Sequence, residues 1–168
     1  FFFIIWIPLY YSEVGGFPLE KVALICLALP VGMSFGPVVA GWISDKFFKA
    51  KKYLVIVVFL SISAISTLTL GFVPVAKVTW NGILLFLVGF FVYGLQGPIY
   101  ALSADFVGRD QIGTAAGIMN SASYIIGALQ GITIGTALTL SKGNWRLAFT
   151  LVAIIQLIGT GTAWKIKR

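Results

Sequence analysis

Residues 41–73 read GWISDKFFKAKKYLVIVVFLSISAISTLTLGFV. The segment begins with a connector in which the bases are concentrated, and residues 53–73 then run without a single charged side chain. A helix that crosses a lipid bilayer needs roughly 20 predominantly apolar residues. The segment therefore predicts a transmembrane helix that is preceded by a short loop in water.

The same alternation of apolar run and polar connector extends in both directions along the chain. It predicts one partial span and five complete spans: Phe1–Tyr11, then Lys21–Ile43, Tyr53–Val73, Gly82–Ala104, Gly113–Leu140 and Arg146–Trp164. Short connectors imply that successive helices are antiparallel neighbours. We therefore expect an all-α, polytopic membrane helix bundle without a soluble domain.

The composition supports a membrane protein and excludes several kinds of chemistry. The 168 residues are 59% hydrophobic and only 10% charged, whereas soluble domains carry about 25% charged residues. There is no histidine, and Cys26 is the only cysteine. Disulfides, histidine-based metal sites and Ser-His-Asp triads are therefore impossible within this chain. We expect no enzyme activity, no metal and no cofactor.

The net charge of +7 is explained by membrane orientation rather than by nucleic-acid binding, because the bases lie between apolar runs. Alternate connectors face alternate sides, and the richer side is expected to be cytoplasmic. That side carries eight bases: Lys46, Lys49, Lys51, Lys52, Arg109, Lys165, Lys167 and Arg168. The other side carries four: Lys21, Lys77, Lys142 and Arg146. Both chain ends are then cytoplasmic, and the plasma membrane is the expected location.

Small residues and prolines within the spans predict how the helices pack and bend. Gly32, Gly36 and Ala40 recur every four residues, as do Gly127, Gly131 and Gly135. Such stripes let helix backbones approach closely. Proline removes a backbone hydrogen bond and can kink a helix. Kinks are therefore expected near the four prolines that lie inside spans, which are Pro8, Pro30, Pro37 and Pro98.

The connector at Gly41–Lys52 contains a glycine, an acid four residues later and then several bases. This pattern, carried by Gly41, Asp45, Lys46 and Lys49, resembles the loop signature of the major facilitator superfamily. The signature occurs between the second and third helices and again between the eighth and ninth. The resemblance implies that residues 1–168 are a C-terminal six-helix half, helices seven to twelve, built as 3+3 inverted repeats. Because Phe1 lies within an apolar run, we expect a truncated first helix and a missing N-terminal half as partner.

A second set of stretches resembles the organophosphate:phosphate antiporters, which include glycerol-3-phosphate and hexose-phosphate carriers. The stretches are Trp6–Tyr10, Gly89–Gly94, Gly97–Asp105 and Gly113–Gly117 with Tyr124 following. The resemblance implies that Tyr93 and Tyr124 line the substrate cavity, and that a substrate-binding arginine lies upstream of Trp6, outside this chain.

Helical spacing extends the candidate site. Gln96 and Tyr100 lie about one and two turns from Tyr93, and Asn120 lies four residues before Tyr124, so each can share a face with its tyrosine. The complete spans contain no charged residue at depth, so the sequence itself shows no anion-binding charge.

Asp105 and Arg109 are spaced i, i+4 at the end of a span. They could pair with each other or with Asp45 and Lys46. We interpret them as a cytoplasmic gate whose ion pairs form in one conformation and break in another.

The sequence thus predicts alternating-access transport of a small anionic metabolite, with exchange of a sugar phosphate or other organophosphate for phosphate as the first candidate. One alternative is a proton-coupled symporter of sugars, organic anions or drugs. Another is a transporter-like receptor that binds a sugar phosphate and signals.

Overall fold

The computed structural model describes residues 1–48 and 51–166, without the side chain of Arg109. Every regular element in these residues is a helix. The elements are α1 (Phe2–Glu13), α2 (Leu19–Cys26), α3 (Ala28–Lys46), α4 (Lys52–Phe72), α5 (Val78–Gly94), α6 (Gln96–Val107), a 3₁₀ turn (Arg109–Gln111), α7 (Ile112–Leu140) and α8 (Trp145–Lys165).

Five segments are long and apolar enough to cross a membrane. They are Leu19–Lys46, Lys52–Phe72, Val78–Val107, Ile112–Leu140 and Trp145–Lys165. The predicted number of complete spans is therefore confirmed, with bounds that differ by a few residues. Helix α1 has 12 residues and corresponds to the predicted partial span.

Two of the long spans are interrupted at matching places, and a proline explains each interruption. The break between α2 and α3 is at Leu27, and the break between α5 and α6 is at Leu95. Pro30 and Pro98 each follow three residues later. Because proline has no backbone N–H, the carbonyl four residues before it loses its helical partner. Pro8 and Pro37 lie inside α1 and α3, which continue through them.

Helices α3 and α5 pack backbone against backbone. A Cβ atom on Gly32 would overlap the carbonyl oxygen of Phe86, and one on Gly36 would overlap that of Phe90. On the facing helix, a Cβ atom on Gly89 would overlap the carbonyl oxygen of Leu29. The prediction that Gly32, Gly36 and Ala40 form a close-packing stripe is confirmed, since all three are buried.

The glycine stripe of α7 behaves differently. A Cβ atom on Gly127 would meet the Phe1 ring, and one on Gly135 would lie 3.5 Å from Trp6, but one on Gly131 would meet nothing within 4 Å. The expectation of tight packing is therefore wrong for Gly131 within the described part of the chain. Ile134 is the only buried residue among those described in α7, so this helix presents most of its surface outward.

Helices α4 and α8 form the second extensive interface. Thr67 is fully buried, and its hydroxyl lies 3.2 Å from Oε1 of Gln156 on α8, to which it donates a hydrogen bond. Ser63 and Ser66 are also buried on α4. One turn beyond Thr67, the Phe149 ring covers Gly71 closely. The face of α4 that contacts α8 is therefore partly polar and depends on α8 for its cover.

A buried hydrogen-bond network joins the end of α1 to the start of α5. The Tyr11 hydroxyl donates to Oδ1 of Asn81 at 2.9 Å. The Asn81 amide in turn donates to the carbonyl oxygens of Pro74 at 3.0 Å and Lys77 at 2.9 Å. Tyr11 and Asn81 are both fully buried, so neither group has water as an alternative partner.

The Tyr11→Phe variant is expected to destabilise the folded protein by about 1–3 kcal/mol, because it leaves the buried Asn81 oxygen without a donor. A melting curve in detergent would measure the change. Tyr10→Phe is the matched control, since the Tyr10 hydroxyl donates no hydrogen bond to any described residue. Equal melting temperatures for the two variants would contradict the role assigned to the Tyr11–Asn81 bond.

Candidate functional site

A cavity of about 490 Å³ lies between the start of α1, the α5–α6 break and the middle of α7. All five side chains that the sequence nominated for substrate binding line it: Tyr93, Gln96, Tyr100, Asn120 and Tyr124. Helices α5 and α6 supply the first three side chains, and α7 supplies the other two. They meet at one cavity because α6 packs against α7. Their role in binding a substrate stays a prediction.

The interrupted helix shapes one wall of the cavity. Tyr93 belongs to the last turn of α5, and Gln96 is the first residue of α6, so the break at Leu95 lies between them. The interruption places the N-terminus of α6 beside the cavity. A helix N-terminus has unpaired N–H groups and a partial positive charge, which favour an anion.

The opposite wall is held in place by contacts to its neighbours. The Tyr100 hydroxyl donates a 2.7 Å hydrogen bond to Oδ1 of Asn120, which joins α6 to α7. The ring centroids of Tyr124 and Phe1 are 5.4 Å apart. Tyr124 is nevertheless 65% exposed, so most of this ring is available to a ligand or to another part of the protein.

None of the described side chains that line the cavity carries a formal charge. The lining offers phenol hydroxyls, amides and one serine hydroxyl, which can donate hydrogen bonds to oxygen atoms of a solute. Such a set can orient an anion but cannot neutralise it.

Sequence reasoning missed several lining residues. Ser123 and Met119 share the cavity-facing side of α7 with Asn120 and Tyr124, and their three- and four-residue spacing could have identified them. Phe1 and Ile4 of the α1 region complete the wall. No local pattern marks these two, because their position depends on how α1 packs against α7.

The residues nominated for a gate lie at the C-terminal ends of α3 and α6 and in the segments that follow them. Asp45 and Lys46 are exposed, and the Lys46 ammonium lies 4.7 Å from the centre of the Trp42 ring. A Cβ atom on Gly41 would meet nothing within 4 Å. Lys49 and the side chain of Arg109 lie outside the described part of the chain.

Asp105 has a partner that the sequence did not suggest. Its Oδ2 atom lies 2.6 Å from Nζ of Lys52, the first residue of α4. The same ammonium donates to the carbonyl oxygen of Ala101 at 3.0 Å. Of the two pairings considered for Asp105, the one with Lys46 is not found among the described residues, where Asp105 bonds to Lys52 because α4 and α6 pack side by side. The pairing with Arg109 stays a prediction, since the Arg109 side chain lies outside the described part of the chain.

These helices define a multi-pass integral membrane protein. Residues 1–131 match the family described as Major Facilitator Superfamily, and the chain belongs to that superfamily, whose members are transporters rather than enzymes. The resemblance inferred from the Gly41–Lys52 connector is thereby confirmed.

Three relatives show what the chain is similar to. It is 30% identical over 165 residues to the "Probable hexose phosphate transport protein" of Chlamydia trachomatis, with 94% of the chain and 36% of that protein covered. It is 26% identical to the "Glycerol-3-phosphate transporter" of Bacillus subtilis, with 95% and 36% covered. It is 28% identical to the "Membrane sensor protein UhpC" of Escherichia coli K12, with 89% and 34% covered.

The chain thus spans about a third of the length of the relatives it matches. No solved structure matches it significantly.

Proposed function

We propose that this chain forms one half of a secondary transporter that exchanges a sugar phosphate or other organophosphate for inorganic phosphate by alternating access. The observation that carries the proposal is the cavity in which Tyr93, Gln96, Tyr100, Asn120 and Tyr124 converge. Its hydroxyl and amide donors suit the oxygen atoms of a sugar phosphate. The similarity to proteins named as hexose phosphate and glycerol-3-phosphate transporters supports the same substrate class.

The outward face of α7 supports the presence of a second half. Tyr124 and Asn120 are exposed on α7, a helix in which Ile134 is the only buried residue among those described. Polar groups of this kind are expensive to leave against lipid. A second helical bundle would cover them and place the cavity at an interface between repeats, where transporter sites lie. The basic groups needed to neutralise an anion would come from residues outside those that line the cavity here.

Exchange needs no proton-carrying side chain, because the second anion returns the carrier to its starting conformation. The uncharged lining of the cavity accords with this mode of transport. The excess of bases on the connectors at the ends of α3 and α6 favours a cytoplasmic location for that side, and we assign both chain ends to the cytoplasm at the plasma membrane.

The test is counterflow by the full-length gene product that contains this chain, reconstituted in liposomes loaded with phosphate. Labelled external phosphate is expected to enter, and glycerol-3-phosphate and hexose phosphates are expected to block its entry. Uptake that requires a proton gradient and ignores these esters would instead indicate a proton-coupled symporter of sugars, organic anions or drugs.

A receptor is the second candidate, and the similarity to a protein named as a membrane sensor favours it specifically. A receptor would retain the cavity and bind the phosphate ester without moving it. Saturable binding of a hexose phosphate by folded protein that shows no flux would select this alternative.

Within the proposed gate, Asp105 is bonded to Lys52. Neutralising either residue, as Lys52→Gln or Asp105→Asn, is expected to change the exchange rate several-fold. The pair is partly exposed, with 22% and 57% of the two side chains accessible. Its contribution to stability is therefore expected to stay below about 1 kcal/mol.

The double variant identifies the pair as a unit. If the bond acts as a gate, Lys52→Gln with Asp105→Asn should change the exchange rate no more than either single variant does. Lys51→Gln is the control, since Lys51 is an exposed neighbouring base. Independent, multiplying effects of the two single variants would refute the gate.

A further inference from the structure

A second cavity, of about 480 Å³, lies at the far end of α1 from the candidate substrate site. It is bounded by the ends of α1 and α4 and by the start of α8, and it shares no lining residue with the substrate cavity. Tyr10 lines the second cavity and Ile4 lines the first. Six residues of helix, or about 9 Å, separate these two positions along α1.

The second cavity contains the positive charge that the substrate cavity lacks. Arg146 lines it from the first turn of α8, and its side chain is exposed. Among the described residues, no carboxylate lies within salt-bridge distance of Arg146. Its guanidinium group instead lies 5.6 Å from the centre of the Phe72 ring. The charge is therefore held at the cavity wall without being neutralised there.

Two polar side chains accompany this charge. Tyr10 is only 5% exposed, because its ring packs between Trp145 and Phe149 at 5.3 and 5.1 Å between centroids. Its hydroxyl nevertheless donates to no described residue. Asn144 precedes α8 without capping it through its side chain. The hydroxyl of an otherwise buried tyrosine, an amide and a guanidinium group without a carboxylate partner therefore line the same cavity.

The chemistry of this set selects a phosphate ester. Guanidinium binds phosphate through a planar fork of donors, and the start of a helix adds partial positive charge. The volume is in the range of sites for small organic molecules, about 300–1,000 Å³. Bare phosphate would leave much of it unfilled. Phe72 and Trp145 supply apolar surface beside the charge, which suits the organic part of an ester.

We propose that Arg146, Tyr10 and Asn144 form a second binding site, specific for a phosphate ester and separate from the transport cavity. The site lies at the start of the α8 span, where the membrane is expected to meet water. A phospholipid headgroup and a soluble phosphate ester present the same chemistry to it.

The test is binding to the full-length gene product after lipid has been removed, and it does not depend on transport. Native mass spectrometry would compare phosphatidylglycerol with diacylglycerol, which has the same tails but no phosphate. Calorimetry with glycerol phosphate would measure the soluble ester. The variants are Arg146→Gln and Tyr10→Phe, and Lys142→Gln is the control because Lys142 is an exposed base of the same connector that does not line the cavity.

A lipid occupant predicts that phosphatidylglycerol binds more tightly than diacylglycerol, and that Arg146→Gln weakens it at least tenfold while Lys142→Gln changes it less than twofold. A soluble occupant predicts the same loss for glycerol phosphate, with lipid binding unchanged. Tyr10→Phe keeps the ring and is expected to lower the affinity for the same ligand two- to fivefold. This variant therefore tests the site if Arg146→Gln does not fold. Affinities for both ligands that neither variant alters would overturn the proposal.

Discussion

The Gly36→Ala variant is expected to be strongly destabilised and to melt well below the unsubstituted protein. A single methyl group at this position would overlap the carbonyl oxygen of Phe90 on α5, and a backbone atom cannot move aside as a flexible side chain can. Helices α3 and α5 would have to separate along their length, which would also loosen the contact at Gly32. Overpacking of this kind costs about 3 kcal/mol. The yield of monodisperse protein and its melting temperature measure the effect.

Gly161→Ala is the matched control for this variant. Gly161 lies within α8 and is exposed, and a Cβ atom there would meet nothing within 4 Å. The substitution adds the same methyl group and is expected to leave stability unchanged or to raise it by about 0.5–1 kcal/mol. A Gly36→Ala protein as stable as Gly161→Ala would mean that α3 and α5 are not in backbone contact.

Gln96→Leu and Tyr93→Phe are each expected to lower phosphate exchange by about tenfold to a hundredfold. The side chains line the cavity on the two sides of the Leu95 break. The cavity offers only uncharged donors, so each donor that contacts the anion contributes a large share of the binding. Loss of one hydrogen bond to a charged group costs about 1.5–3 kcal/mol, which corresponds to this change in rate. Initial rates of counterflow at equal protein content measure it.

Tyr53→Phe controls for the loss of a phenol hydroxyl away from the cavity, because Tyr53 is buried in the first turn of α4. It should leave the rate within a factor of two. Tyr93→Phe and Gln96→Leu proteins that exchange phosphate at the rate of Tyr53→Phe would remove these residues from the site, whatever substrate the protein carries.

The membrane spans could be predicted from the sequence because each depends on local composition. Charge-free runs locate a span whether or not its partners are known, and Pro30 and Pro98 act on carbonyls of their own helix. The spans predicted at Lys21–Ile43 and Gly82–Ala104 agree with Leu19–Lys46 and Val78–Val107. The differences at their ends arise because polar residues of the connectors extend the helices.

The candidate site was predictable to the extent that it follows helical spacing. Gln96 and Tyr100 were nominated from their distance to Tyr93, and the cavity includes them. Contacts between distant helices could not be predicted in this way. The partner of Asp105 is Lys52, 53 residues earlier in the chain, and only the packing of α4 beside α6 reveals it. Ile4 was missed for the same reason.

The partly polar face of α4 has a consequence for the order in which the protein is made. The helix that covers this face is α8, which the ribosome delivers last among the described helices. Until then Thr67 of α4, which is fully buried in the finished bundle, lacks its hydrogen-bond partner Gln156. A nascent chain that stops before Trp145 would leave the Thr67 hydroxyl without Gln156. The uncovered polar face of α4 would therefore be a feature by which membrane proteases recognise incomplete chains.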